Sequence, residues 1–454
     1  MKNVKRRLEI LSFYDSTGIT AHLERMARKG WALESIRKSL WRYRRIEPKE
    51  LHYAVVYLPS SSEFDPGPTE DNQALQEFCA RAGWVQVASA AQMHIFCSEA
   101  EDPVPIETEP MVQLENIHRA MKKNFLPSQI AMLVLGVIQL LLSVWQYSIS
   151  PLDFLAGSSN FVSILCWLLI ALMSVYDIAQ YSLWRWRALA AAEDGRFLPT
   201  RGTQWIQYLC LILLAATFLP WILSMTDGMQ RFIVFFSLAA MAVLFVTVFA
   251  VKAIFQRRGA QTGTTRAAVW ITSIFMAIAY MMCLIWVITA GIDGNWFRED
   301  TETYEYMGMT WEVHHEELPL TIEELMQTDY NSYSTELSVN ASPFLTATEA
   351  HQRPRMDALK EPDLDYAIYD ARFGFVTRFV LDQLMDISEP TDEVPEEYRL
   401  FGQTENGTTV YQLYRDGLAW DSLVLHKGNR VVLLRPGWGM SREQTEIAAA
   451  ILMP

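Results

Sequence analysis

One carboxylate lies where its neighbours offer it almost no water. Asp177 is the only acidic residue inside the long apolar stretches of the chain, with Tyr176 beside it and Gln180 about one turn on. An ionisable group at membrane depth is a candidate for proton or ion handling. It has no second intramembrane charge to relay to, and no pair of Gly/Pro-broken spans marks a transporter midplane. Arg185 follows eight residues later, so pairing with a loop arginine, or water access near the span end, makes a structural role the expectation. A second cluster, His314-His315-Glu316-Glu317, has metal-ligand chemistry. Neighbours in a strand point to opposite faces, so the four cannot converge, although His314 and Glu316 could share an ion with distant ligands. A surface strand is the simpler reading.

No GxSxG, HExxH, Walker loop or paired-Cys zinc site occurs, and the aspartates of EPDLDYAIYDARFGF lack the glycine and spacing of a calcium loop. The eight histidines are scattered. We therefore expect a chain that is not an enzyme and holds no cofactor or metal.

The elements that position these residues are dominated by the apolar block from about Phe125 to Ile292. Five stretches in it, 125–147, 161–181, 205–225, 232–254 and 267–292, are long enough to cross roughly 30 Å of hydrocarbon at about 1.5 Å per residue. A soluble helical core would show polar faces at helical spacing, and FIVFFSLAAMAVLFVTVFAV shows none. Basic residues favour the cytoplasmic side of short loops. Lys122 and Lys123 precede the first span, Arg185, Arg187, Arg196 and Arg201 lie between the second and third, and Lys252, Arg257, Arg258 and Arg266 between the fourth and fifth. The loop SISPLDFLAGSSN has no Lys or Arg, and Arg231 and Arg298 stand alone in the other two. The expected topology puts the amino terminus in the cytoplasm and everything after Ile292 outside the cell membrane.

The 454-residue chain has a formal net charge of -14, unevenly spread. Residues 1–124 are neutral, 125–292 carry +4 and 293–454 carry -18. So acidic a carboxyl-terminal region is unsuited to nucleic acid, whose phosphates would repel it. None of the five cysteines falls in it, so it must fold without disulfides.

Residues 1–100 contain a repeat. LERMARKGWALESI and LQEFCARAGWVQVA each end an amphipathic helix at Gly-Trp, then turn into a strand. Ser16 or Thr17 is placed to cap the first helix and Thr69 the second, with Leu75, Phe78, Cys79 and Ala82 as the second helix's buried stripe. Gly30 suits the left-handed C′ position. Strands flank both helices, the first over Leu8–Tyr14, so the unit is strand-helix-strand-strand, used twice. Such units normally build one sheet with both helices on one face, an α+β layer of ferredoxin-like character. WRYRRIEP interleaves arginines with aromatics as a nucleic-acid platform would, but the neutral region lacks an RNA-recognition motif. A solvated sheet face is the preferred reading, and contact with the nearby anionic inner leaflet is another option.

FYDSTGITAHLERMARKGW, LWRYRRIEPKELHYAVVYLPSSSEFDP and QMHIFCSE resemble the domain of unknown function 2812 family over roughly residues 8–110. That resemblance implies a bacterial integral membrane protein with this module ahead of several spans. Members are often encoded near PadR-like transcriptional regulators, which points to a sensory role and a possible regulator partner. The family assigns no catalytic residues.

An acidic, proline-bearing linker and a short helix, 101–124, lead into the first span. Residues 293–454 form a second α+β domain, with Thr321/Glu324 and Ser441/Gln444 as capping boxes and a meander over 408–438 turned by Asp-Gly and Gly-Asn. The expected whole is a multi-domain membrane protein: a cytoplasmic α+β module, a five-helix transmembrane bundle and an acidic extracytoplasmic α+β domain. A sensor or signalling subunit, contacting membrane lipid and a protein partner, fits best. A transporter or its accessory subunit, with a polar cavity reached by Asp177, Tyr176 and Gln180, is the alternative. A membrane-bound enzyme on lipid or wall substrate is a third.

Overall fold

Where a chain alternates short amphipathic segments with long apolar ones, soluble layers and lipid-compatible helices must separate, and a computed structural model of the protein shows that separation. It describes residues 4–9, 13–37, 40–200, 202, 204–224, 228–293, 302–326, 333–358, 361–386 and 396–454. Backbone proximity divides the chain into Met1–Gln139 with Leu165–Asn295, and Leu140–Ile164 with Trp296–Pro454.

The first unit begins with the repeat. Its first copy is β1 (Val4–Leu8), α1 (Ser16–Arg28), β2 (Trp31–Arg37) and β3 (Leu40–Arg45); its second is β4 (His52–Tyr57), α2 (Glu70–Arg81), β5 (Val85–Ala90) and β6 (Met93–Ser98). Each copy makes its own three-stranded antiparallel sheet, in the orders β1-β3-β2 and β4-β6-β5. The expected single sheet is thus two sheets of identical topology. Gly30 and Gly83 end the two helices at φ +78° and +80°, a left-handed turn that costs glycine nothing.

Three local expectations shift. β1 ends at Leu8, and residues 13–14 are a turn, because Asp15 rather than Ser16 or Thr17 caps α1, accepting from the Gly18 amide at 3.0 Å. Thr69 caps α2 as expected, at 3.3 Å from the Asn72 amide. Phe78 is 63% exposed, and the inner face of α2 is carried by Cys79 with Leu75 and Ala82.

After the linker, α3 (Pro110–Ala120), a π-helical turn (Met121–Phe125) and α4 (Leu126–Ile149) run continuously. The remaining helices are α5 (Pro151–Ala156), α6 (Ser158–Glu193), α7 (Gln204–Ser224), α8 (Gly228–Arg257) and α9 (Thr262–Asp293). Among the described residues, five segments are long and apolar enough to cross a membrane: Pro110–Ile149, Ser158–Glu193, Trp205–Leu223, Gly228–Arg257 and Thr262–Ala290. Their Leu, Ile, Val and Phe side chains are largely exposed, which in water would forfeit about 1.5–3 kcal/mol for each large one. Lipid removes that penalty. The second helix runs twelve residues past the expected end at Tyr181, since α6 reaches Glu193.

The second unit is built on a seven-stranded antiparallel sheet ordered β12-β13-β14-β15-β11-β10-β9. In chain order its elements are the hairpin β7 (Glu302–Tyr306) and β8 (Met309–Val313), then α10 (Ile322–Leu325), β9 (Tyr333–Ala341), β10 (Leu345–Pro354), β11 (Leu364–Ala371) and α11 (Gly374–Met385). β12 (Glu396–Gln403), β13 (Thr409–Arg415), β14 (Leu418–Lys427), β15 (Arg430–Pro436) and α12 (Arg442–Leu452) complete it. One face packs Leu320, Ile322 and Tyr333 against Ala448 and Leu452 of α12. The other packs Val376 and Val380 of α11 with Leu345, Val431 and Ala156 of α5. The turn between β13 and β14 has Asp416 and Gly417 at φ +52° and +76°, the left-handed pair a two-residue hairpin requires. Both expected capping boxes are present.

Candidate functional site

On α6, the buried residues Ser174, Asp177, Tyr181, Trp184 and Ala188 recur every three or four positions and form one stripe. Asp177 is 5% exposed. Its Oδ2 accepts from Gln129 Nε2 of α4 at 3.1 Å, and its Oδ1 from Gln207 Nε2 of α7 at 3.5 Å. The carboxylate is therefore held by amides from two other helices, and no loop arginine pairs with it among the described residues. Tyr176 and Gln180 are half-buried beside it.

Below Asp177 on the same stripe, the amino-terminal module meets the helices. Tyr14 packs its ring 5.4 Å from Tyr181, 5.7 Å from Trp184 and 6.1 Å from Phe125 of the π-helical turn. Burial first, and the Asp15 carboxylate second, push the Tyr14 hydroxyl well above its ordinary pKa, so it stays neutral. Asp15, 1% exposed, works twice: Oδ1 caps α1 and Oδ2 accepts from the Gly202 amide at 2.8 Å. A Cβ on Gly18 or on Gly202 would overlap that carboxylate. Alongside, the Thr17 amide donates to Thr200 Oγ1 at 3.0 Å and the Thr200 amide returns to Thr17 Oγ1 at 3.2 Å. Trp184 Nε1 donates to the Leu198 carbonyl at 3.3 Å, which pins the loop between α6 and α7.

The equivalent connection of the second repeat, between β4 and α2, does the same at the α8–α9 end. Lys252 Nζ lies 2.9 Å from Glu63 Oε2 and 4.9 Å from the Phe64 ring centre. Gln256 Nε2 donates to the carbonyls of Glu63 and Asp65, and Thr262 Oγ1 to Asp65 Oδ1 at 2.6 Å. Lys123 adds bonds to the carbonyls of Pro59 and Ser61. Both repeats thus use the loop after their first strand, each with one aspartate, to hold a distant part of the chain: residues 200–202 between α6 and α7 in the first, the end of α8 and the start of α9 in the second. Sequence reasoning missed both aspartates; the Phe-Tyr-Asp of one loop and Phe-Asp of the other were the available signal.

A cavity of about 1300 Å³ lies between the repeats and α8, lined by Glu9, Trp41, Asn72, His94, Lys252 and Arg257 among others. Glu9, 6% exposed, is held by Arg7 Nε at 3.2 Å, His22 Nε2 at 3.3 Å and the Tyr43 hydroxyl at 3.4 Å. Burial lowers the His22 pKa, outweighing Glu9. His94 is bonded to Gln86 and Ser61, and burial pushes it down to about 4, so it is neutral near pH 7. Charged and amide groups around an open volume suit a small polar ligand. A smaller cavity of about 460 Å³ runs along Ser16, Thr17, Phe197 and Glu107. Burial raises Glu107 to about 7, against a bond from Asn116 that lowers it.

In the second unit, His314 lies 3.8 Å from both Glu312 and Glu336, and His315 3.4 Å from Glu302. The Glu316 carboxylate accepts from the Leu337 amide. Backbone bonds between 314–316 and Thr335 lay this segment beside β9, and no group of three or more metal-ligating residues forms among the described residues.

The chain matches no curated protein and no solved structure. The stretch from α1 through the linker, α3 and the π-helical turn into α4, residues 16–128, matches the model of a family described as protein of unknown function, DUF2812.

Proposed function

We propose that the protein is a non-enzymatic membrane sensor or regulatory subunit in which the spans couple a carboxyl-terminal domain outside the cell to an amino-terminal module in the cytoplasm. One observation carries this reading. Both repeats of the module clasp the ends of the long helices, through Asp15–Gly202 and Thr17–Thr200 in one case and through Glu63 and Asp65 in the other, so a shift of those helices must strain the module. In the other unit, α5 and the adjoining ends of α4 and α6 pack on the sheet domain, with Tyr147 stacked on Phe379 and Phe161 5.0 Å from Phe344. The orientation is supported by charge: the clasped loops are the basic ones, and the loop around α5 has no Lys or Arg. The cavity beside Glu9 and His94 supplies room for a small ligand or a partner's side chain.

The test is crosslinking and co-purification of the full chain from its native membrane under varied stress. A partner protein, such as a transcriptional regulator, is expected on the module, and its retention should change in Asp15→Ala. Recovery of the chain alone under every condition sinks the proposal. A transporter reading rests on Asp177, a carboxylate shared by amides from two neighbouring helices. Asp177→Asn abolishing a transport phenotype, with partner binding intact, would favour it.

A further inference from the structure

The outer face of the first sheet carries a pattern that neither the joints nor the cavity uses. Antiparallel register sets Leu8 opposite Leu40, Arg6 opposite Arg42 and Val4 opposite Arg44, and directly opposed residues share a face. Leu8, Leu40 and Val4 are 54%, 44% and 37% exposed, whereas Trp41 and Tyr43, on the opposite face, are 3% and 0% exposed. Arg42 is held by Glu34 at 2.8 Å. Arg6 and Arg44 make no ion pair among the described residues. The aromatics that would stack bases are thus turned into the core, which removes the nucleic-acid platform and leaves guanidinium groups beside two exposed leucines.

The position of this ladder is fixed at one end. The Tyr208 hydroxyl, in the second turn of α7, donates to the Leu8 carbonyl at 3.4 Å. Trp205, one turn earlier, is 65% exposed and starts the apolar span. An exposed Trp at the start of a span, with a half-buried Tyr one turn on, occupies the headgroup zone, so the Leu8–Leu40 pair reaches that zone too. Arg6–Arg42 follows at about 7 Å along the strand, inside the Debye length of about 8–10 Å over which an anionic leaflet acts, and Val4–Arg44 at about 13 Å, where that field is weaker.

We propose that this face binds the anionic phospholipid headgroups of the leaflet beside α7. Leu8 and Leu40 enter the boundary between headgroups and acyl chains, and Arg6, Arg42 and Arg44 take lipid phosphates, for which the planar guanidinium fork is well matched. Leu8, the last residue of β1, precedes Asp15 by seven residues, so lipid held there acts close in sequence to the joint that holds the module to the helices.

The experiment replaces Leu40 with the photoreactive p-benzoylphenylalanine in the full chain, reconstituted in nanodiscs of phosphatidylcholine with or without phosphatidylglycerol. A lipid adduct at position 40 is expected in the phosphatidylglycerol discs, reduced by up to about fivefold for each of Arg6→Gln, Arg42→Gln and Arg44→Gln and reduced by salt. The same probe at Trp205 should give lipid adduct in every disc and variant, reporting that the helices remain inserted. The proposal is overturned by an adduct at 40 indifferent to lipid charge and to the arginines. It is also overturned by no adduct there while position 205 labels, or by capture of protein or RNA from a membrane extract in place of lipid.

Discussion

The two joints between the amino-terminal module and the helices do the same task with opposite chemistry. At the first, Asp15, Tyr14 and Thr200 are no more than 2% exposed, and most of the bonds join backbone amides to side-chain oxygens. At the second, the Glu63 side chain is 43% exposed and the Lys252 side chain 19%, and an ion pair is the main charged contact. A buried acceptor is costly to orphan, whereas a partly exposed ion pair is worth little and is screened by salt. The first joint is therefore the costlier of the two to open, and the ion pair adds little to the second.

That contrast can be broken most severely at Asp15. Asp15→Ala removes the α1 cap, worth about 1 kcal/mol, and strands the Gly202 amide, worth about 1–3 kcal/mol more. Hydrogen exchange should accelerate in α1 and in 198–202, with 252–262 unchanged. Gly202→Ala tests the same contact by crowding, at about 1–3 kcal/mol, and should accelerate the same amides. Acidity distinguishes the joints next. Glu107, beside Thr17 and Phe197, is raised from 4.5 to about 7 in the folded chain, so the folded state holds the proton more tightly. The stabilisation is complete below about pH 4.5 and is lost as pH rises through 7. Exchange across 101–109 and the first joint should quicken over that window, and Glu107→Gln should flatten the response. The smallest effect belongs to Lys252→Ala, about 0–1 kcal/mol; raised salt should erase it while leaving Asp15→Ala as damaging as before.

What the sequence made legible was whatever is encoded locally. Gly30 and Gly83 announce helix ends, the two capping boxes announce helix starts, and apolar length announces five spans, because each signal lies within a few residues of the structure it specifies. Asp15 escaped notice since Ser16 and Thr17 compete for the same cap, and the choice depends on Gly202, far along the chain. The partners of Asp177 were invisible for a related reason: Gln129 and Gln207 sit on other helices, and glutamines in a span leave no periodic trace of whom they face. Two separate sheets in place of one could not be read either, since strand pattern fixes which side chains point inward but not which edges meet.

The π-helical turn at Met121–Phe125 has a consequence for the geometry of the whole module. A turn of this kind fits one residue beyond the ordinary helical count into nearly the same rotation, so rewinding Met121–Phe125 to ordinary pitch without losing a residue would swivel everything upstream by about 100°. Leu114 and Ile117, buried in the module's core, would then point away from it, and Lys123 would lose the Pro59 and Ser61 carbonyls. The wide turn thus holds the phase between the amino-terminal module and the first membrane-length helix.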